Sequence, residues 1–557
     1  MADQLYHPNP RDVAAESQLL LWKLLDHGCT LQAESEIVTR RTHGCQRISF
    51  REHLLRARQL AAALERWGLQ LGDCVATFMA NNARHLQAYH AVPGFGAVLH
   101  TLNIRLSTQE LSYIIRHACD RVLLVDAELL APIQALPRET LACVELFVVC
   151  GPDEGRMSWT STLPAERTVD YDSFLDREEP TFSWRVVPEH APMGLCYTSG
   201  TTGNPKGVMY SHRSTYLTTI TIAMSNHIAM SAMDTFLCVV PMFHAMAWTM
   251  PFTALMLGTK LCLCGAHSTP LDQIDMCLSE GVTVSGGVPT VWQQIRTILQ
   301  EEPAKYKGKL RLNRVLCGGS APAKELMDWF LKEYQVEMMQ GWGMTETNPL
   351  GALSKMKFKG KHASWSLKEQ FENIQKPGPL ISIMEMKIVN PEDFSQELPH
   401  DGVAAGELLV RGPNVTGQYF RNPRASDRFH DGWLITGDIA KITSEEELVI
   451  ADRSKDLIKS GGEWISSTDI ENHILSLPGV AQACVVASPH PKWDERPVAI
   501  VVPREGTHVS GSTVIEHCLA VFAKFEVPDD VLFWKEMPLT STGKLDKKSI
   551  RKKLADD

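Results

Sequence analysis

The sequence predicts an α/β fold: a large N-terminal domain of sheets wrapped by helices, followed by a smaller C-terminal domain. Three observations carry this. At 557 residues the chain exceeds one ordinary hydrophobic core and suggests two to four structural units. Through the first 120 residues, and again further on, short apolar runs alternate with stretches of helical spacing, the pattern of parallel strands joined by helices. Near Asp452 the pattern changes to a charged and then glycine-rich run, ADRSKDLIKSGGEWIS, and the roughly one hundred residues after it are enough for a small domain.

The individual elements follow from spacing. REHLLRARQLAAALERWG (residues 51–68) carries apolar residues at helical intervals and stops at a glycine. DCVATFMANN (73–82) reads as a buried strand followed by a turn, and the same alternation returns at DRVLLVDAELL (120–130) and DTFLCVVPMF (234–243). The domains are set at 1–451 and 457–557, with a joint at 452–456. Lysines 355, 357, 359 and 361 crowd a stretch without periodicity, read as a solvated loop.

Composition narrows the function. Hydrophobic residues make up 44% and charged residues 22%, an ordinary folded mix. The net charge of −10 argues against general nucleic-acid binding but leaves room for a local basic pocket. No apolar run approaches the roughly 18–20 residues of a transmembrane helix. The opening MADQLYHPNPRD has neither a basic region nor an apolar core, so no signal peptide is expected. The 14 cysteines are scattered without zinc-ligand spacing and read as reduced thiols of a cytoplasmic protein.

Four constellations carry chemistry. In YTSGTTGNPKG (197–207), Gly200 and Gly203 let backbone N–H groups converge on an anion. Thr198, Ser199, Thr201 and Thr202 add hydroxyl donors, and Lys206 adds a mobile charge. Together they suit a polyphosphate. No Ser or Thr follows the lysine, so this is not the Walker loop. In GWGMTET (341–347), Gly341 and Gly343 admit a flat ring to the backbone, Trp342 can stack on it, and Glu346 is a hard carboxylate suited to magnesium. In DGWLITGDIA, Asp438 has two acceptor oxygens for a pair of ribose hydroxyls. In PLTSTGKLDKKSIRKKL, Lys544 sits in a tight turn before a basic helix.

These strings, in this order, resemble the adenylate-forming superfamily of acyl-CoA synthetases, non-ribosomal adenylation domains and firefly luciferase, over nearly the whole chain. The resemblance implies ATP, Mg2+ and coenzyme A as cofactors and a small-molecule carboxylic acid as substrate. It makes the small domain α+β and mobile. It gives the Thr345–Glu346 pair the phosphate and the metal, with Thr198 as a second metal contact. Gly341, Trp342, Gly343 and Met344 would hold adenine, although most members carry tyrosine at the Trp342 position. Gly318, Gly319 and Ser320, from LCGGSAP, would line the acyl and adenine sites. Arg453 would join Asp438 at the ribose, and Lys544 would be the catalytic lysine bridging carboxylate and α-phosphate.

Lys455 matches the family's hinge. Ser460, Gly461 and Gly462 would swing in to form a pantetheine channel. His244 and Trp248, in PMFHAMAW, resemble the bacterial fatty acyl-CoA synthetases, with Trp248 at the acyl tunnel. The reading is therefore an AMP-forming ligase of a medium- or long-chain fatty acid. A thioether acid of the methylmercaptopropionate type, the loading of a separate carrier protein, and a non-catalytic nucleotide-binding regulator stand as alternatives. Bacterial members are often dimers, so the resemblance also implies a homodimer.

Overall fold

The computed structural model describes residues 17–151, 163–198, 204–266, 268–355, 364–422, 427–461, 463–540 and 543–556. Of the residues singled out in the sequence, Ser199, Gly200, Thr201, Thr202, Gly203, Gly462 and Lys357, Lys359 and Lys361 lie outside them.

Helical spacing and glycine stops set the local structure as read. The helix Phe50–Trp67 is capped by the Ser49 hydroxyl and ends at Gly68 with φ of 107°, a left-handed stop that glycine adopts freely. The strand Cys74–Phe78 is buried throughout, as an interior strand of a parallel sheet must be.

Two helix-wrapped sheets form the bulk of the large domain. One contains, in spatial order, Thr168–Asp170, Leu146–Cys150, Val122–Asp126, Cys74–Phe78, Val98–Thr101, Pro192–Thr198 and Lys206–Ser211. Its pairings are parallel until the last, an antiparallel hairpin. The other runs Leu350–Leu353, Glu337–Gly343, Arg314–Gly318, Val284–Gly287, Thr235–Cys238, Lys260–Leu263, Glu36–Arg40 and Cys45–Ser49. Its strands are parallel except at the two edges. The central parallel strands Val284–Gly287, Arg314–Gly318 and Glu337–Gly343 therefore end on one side, where open α/β sheets bind ligands.

The third sheet departs from the expected parallel pattern. Its strands, among them Gly406–Arg411, Trp433–Ile442 and Glu447–Arg453, pair antiparallel. A four-residue turn joins Trp433–Ile442 to Glu447–Arg453, and among the described residues no α-helix connects these three strands, where the first two sheets have helices. The strand Glu337–Gly343 runs into GWGMTET and ends at its second glycine.

The joint is a tight turn. Glu447–Arg453 is the last strand of the third sheet, and Ile458–Ser460 opens the small-domain sheet. Between them the amides of Asp456 and Leu457 donate to the Arg453 carbonyl at 2.8 and 2.9 Å. Asp452 reaches across and accepts from the Ser467 amide at 2.7 Å and its hydroxyl at 2.6 Å, at the start of the helix Ser467–Leu475. Lys355 is not solvated as expected, because it donates to the carbonyls of Ser225 and His227. Among the described residues no helix is long and apolar enough to cross a membrane.

Close packing leaves little freedom in the N-terminal helices. A Cβ at Gly28, in the helix Leu21–Leu31, would lie 1.8 Å from the Leu255 carbonyl oxygen. Two backbones touch there, so neither can yield as a side chain would. Gly28→Ala is expected to destabilise the chain by about 1–3 kcal/mol, read from the denaturant midpoint. An unchanged midpoint would show that the two helices separate freely.

Candidate active site

The glycine-hydroxyl loop is held at both ends. Thr198 and Lys206 are cross-strand partners, and the Thr198 hydroxyl reaches the Lys206 carbonyl at 3.5 Å. Behind them the Phe420 amide donates to the Gly207 carbonyl at 2.8 Å, docking the hairpin onto GQYF. The Lys206 ammonium stands 4.9 Å from the centre of the Tyr419 ring, a cation–π contact. The Tyr419 hydroxyl donates to Glu346 Oε1 at 2.7 Å. Lys206, Tyr419 and Glu346 thus form one chain of contacts beside the loop. The Tyr210 hydroxyl donates to the Thr345 carbonyl at 2.8 Å, fixing the Thr345–Glu346 backbone.

The GWG segment has no room for larger residues. A Cβ at Gly343 would lie 1.9 Å from the Pro349 carbonyl oxygen, and one at Gly341 would lie 2.8 Å from Leu316 Cδ1. The sequence reading made Trp342 a stacking ring. Its indole is packed against Gly351, and its N–H donates to Asp438 Oδ2 at 2.8 Å. Arg453 Nε pairs with Asp438 Oδ1 at 2.9 Å, from the cross-strand position. Each carboxylate oxygen keeps a further lone pair. Glu407 shapes this turn by accepting from the Gly437 amide at 2.6 Å and the Ser454 hydroxyl at 2.7 Å.

Lys544 enters from the small domain. Its turn closes through Thr540 N–H to the Lys544 carbonyl at 2.7 Å. Thr290 of the large domain donates to the Gly543 carbonyl at 3.1 Å. The lysine lies against Gly319, where φ is +86° and a Cβ would sit 2.9 Å from Lys544 Cε and 3.5 Å from Nζ. Burial pushes the ammonium pKa down to about 8, with Arg453's charge adding to the effect, while Asp438 and Glu346 favour the charged form. His244 is pushed down to about 3 by burial and by the Lys544 charge, so its imidazole is neutral.

Trp248 is carried by an unusual backbone. Ala245, Met246, Ala247, Trp248 and Thr249 all have φ between 42° and 60°. Left-handed residues cost roughly 1–2 kcal/mol each outside glycine. The turn brings the indole to the end of Arg314–Gly318, where a Cβ at Gly318 would lie 3.5 Å from the ring.

Gly318, Gly319, Gly341, Trp342, Gly343, Thr345, Glu346, Asp438, Arg453, His244, Trp248 and Lys544 thus gather at one edge of the second sheet and its neighbours. Met344 is part of the same turn, donating its amide to the Thr347 hydroxyl at 3.1 Å, while Ser320 is exposed. Ser460 and Gly461 stand apart, within the small domain. The Ser460 hydroxyl accepts from Arg496 at 3.1 Å, and the Gly461 amide donates to the Trp493 carbonyl at 2.8 Å. Lys455 is exposed at the joint. Tyr210, Thr290, Glu407 and Tyr419 were not anticipated. The signal for Thr290 was present in GGVPT, a glycine-rich end to a parallel strand.

The magnesium expectation has a fitting donor. Glu346 is 6% exposed, and among the described residues only its Oε1 is hydrogen-bonded, which leaves Oε2 for a hard cation.

Comparison with known proteins agrees with this geometry. The model of the AMP-binding enzyme family matches residues 25–420, and that of the AMP-binding enzyme C-terminal domain matches 469–544. A 3-methylmercaptopropionyl-CoA ligase of Ruegeria lacuscaerulensis is 40% identical over 97% of this chain and 98% of its own. A long-chain-fatty-acid–CoA ligase of Thermus thermophilus is 41% identical over 96% of each. Among solved structures, ATP-bound MatB from Rhodopseudomonas palustris superposes with a TM-score of 0.80 at 26% identity, covering 97% of this chain and 99% of that one. The chain belongs to the AMP-binding enzyme family of adenylate-forming enzymes.

Proposed function

We propose that the chain is an AMP-forming ligase that joins a medium- or long-chain fatty acid to coenzyme A through an acyl-adenylate, in a cytoplasmic setting. The observation that carries the adenylation step is the Lys544 ammonium, half-buried beside Gly319 and within electrostatic reach of His244, Asp438 and Glu346. A carboxylate and a polyphosphate repel each other, and a buried cation between them offsets that repulsion.

In the first step a carboxylate oxygen attacks the α-phosphorus. The bond from that phosphorus to the bridging oxygen breaks, and pyrophosphate leaves with the electron pair. Lys544 holds the two anions together. Lys206, Thr198 and the loop at 199–203 hold the outer phosphates, and Thr345 the phosphate beside them. Trp342 and Arg453 aim Asp438 at the ribose. Glu346 would hold Mg2+, which neutralises phosphate charge when bound. In the second step the coenzyme A thiol gives its proton to solvent and its sulfur attacks the carbonyl carbon; the bond from that carbon to the phosphate oxygen breaks, and AMP departs with the electron pair.

Lys544 and the thiol need the same face of that carbon. We infer that the small domain turns about Lys455 between the steps, bringing Ser460, Gly461 and Gly462 towards the thiol. Supporting this, a cleft of about 330 Å³ lined by Lys324, Glu325, Asp469 and Asn472 lies along the domain seam. The hinge turn itself is short, with Arg453, Ser454 and Lys455 exposed between the buried Asp452 and Asp456.

The named relatives support the acid class, and the 40% identity to a thioether-acid ligase supports a second reading. Pyrophosphate release over carboxylic acids of graded chain length, with and without coenzyme A, separates the two. Highest turnover with C6–C16 acids supports the fatty-acid reading, and highest turnover with 3-methylmercaptopropionate replaces it.

Lys544→Ala is expected to slow acyl-adenylate formation by about 100- to 1000-fold, yet leave thioester formation from supplied acyl-adenylate within a few-fold. Equal loss of both half-reactions would refute the lysine's assignment. Lys455→Pro should slow thioester formation more than adenylation, as measured by single-turnover quench, and unchanged rates in both would remove the hinge.

The charged form of Lys544 does the work, and it is depleted as pH rises past about 8. The adenylation kcat/KM is therefore expected to be level below that pH and to fall roughly tenfold per unit above it. Arginine keeps its charge throughout, so Lys544→Arg, although slower, should lose that alkaline limb. An identical limb in both proteins would assign it to another group.

A further inference from the structure

Away from the adenylation site, three N-terminal helices bring together groups that no sequence spacing announces. Cys29 lies on Leu21–Leu31, His53 on Phe50–Trp67 and His90 on Ala83–Phe95. One ligand atom from each lies within 4.8 Å of the other two, and the residues are 1%, 0% and 0% exposed. His90 Nδ1 faces His53 Nε2 at 3.4 Å. The ring centroids are 5.5 Å apart at an interplanar angle of 30°.

One further observation points to a ligand. On its other side, His90 Nε2 lies 3.0 Å from Asp26 Oδ1, the carboxylate–histidine arrangement that orients metal-bound imidazoles. Asp26 is itself fixed by the Trp184 indole N–H at 2.9 Å and by Arg58 at 3.0 Å.

We propose that Cys29, His53 and His90 form a binding site for a thiophilic divalent cation of the zinc class, with Asp26 as the outer carboxylate that positions His90. Zinc takes a thiolate at about 2.3 Å and imidazole nitrogens at about 2.0–2.1 Å, which sets ligand atoms about 3.3–3.6 Å apart, close to the separation of the histidine nitrogens. The Cys29 thiolate and the Asp26 carboxylate balance the double positive charge. The thiol proton leaves to solvent on binding. Three protein ligands leave the fourth position to a water molecule. The ion would tie the first three helices together behind the domain that carries the glycine-hydroxyl loop.

The test uses the full-length chain, reduced, stripped with chelator, and dialysed against Zn2+ or Co2+. Mass-spectrometric metal analysis should find about one zinc per chain. Co2+ should give a thiolate-to-metal absorption band, and Zn2+ should raise the melting temperature. Cys29→Ser should abolish the band and the bound zinc, and Asp26→Asn should weaken affinity by about 10- to 100-fold. Folding of each variant is checked by circular dichroism. If a variant fails to fold, the Co2+ band of the wild-type chain and its loss after alkylation of Cys29, mapped by mass spectrometry, decide the matter. No bound metal in the folded wild type, or equal binding in Cys29→Ser, would overturn the site.

Discussion

An ammonium partly removed from water is the constraint on which the rest depends. Lys544 is half-buried at the meeting of two domains, and its pKa is pulled down to about 8. An isolated buried charge would be costly. Here Asp438 and Glu346 lie close enough to favour the charged form, and Arg453 opposes them. The groups proposed to recognise ribose and metal are therefore also those that keep the lysine cationic. Among the described residues the turn of Lys544 meets the large domain through a hydrogen bond from Thr290 to the Gly543 carbonyl and a glycine at 319 that leaves space for the lysine stem. Contacts of this kind can be remade, as an enzyme with two half-reactions requires.

The scaffold makes this possible by ending several parallel strands at one edge. Gly287, Gly318 and Gly343 each close such a strand. Each glycine removes a side chain from a place where a ligand, an indole or a neighbouring backbone must come close. The antiparallel third sheet then supplies the opposite wall, with Asp438 and Arg453 as cross-strand partners. Tyr419 and Phe420 tie that wall to the phosphate hairpin.

Much of this could be read from the chain because its chemistry is local. A lysine among glycines and hydroxyls, or a carboxylate after a glycine-bounded aromatic, carries its meaning within a dozen residues. What could not be read depends on distance or on backbone shape. Tyr419 matters only because it meets Lys206 and Glu346, residues 213 and 73 positions away in sequence. The left-handed turn at 245–249 contains no glycine to announce it. Trp342 was read as a ring that stacks, yet its N–H is committed to Asp438, which a sequence cannot reveal. The cysteine–histidine cluster at Cys29, His53 and His90 has no ligand spacing, because three separate helices build it. The absence of zinc spacing in the chain spoke only to local sites.

The central claim is that Lys544 occupies the nucleotide site in one half-reaction and leaves it in the other. Amine-reactive footprinting read by mass spectrometry tests it most directly. The chain is labelled with ATP and a non-reacting acid analogue, and again with an acyl-adenylate analogue and coenzyme A. The account predicts strong protection of Lys544 in the first state and its loss in the second. Equal labelling in both states would contradict it.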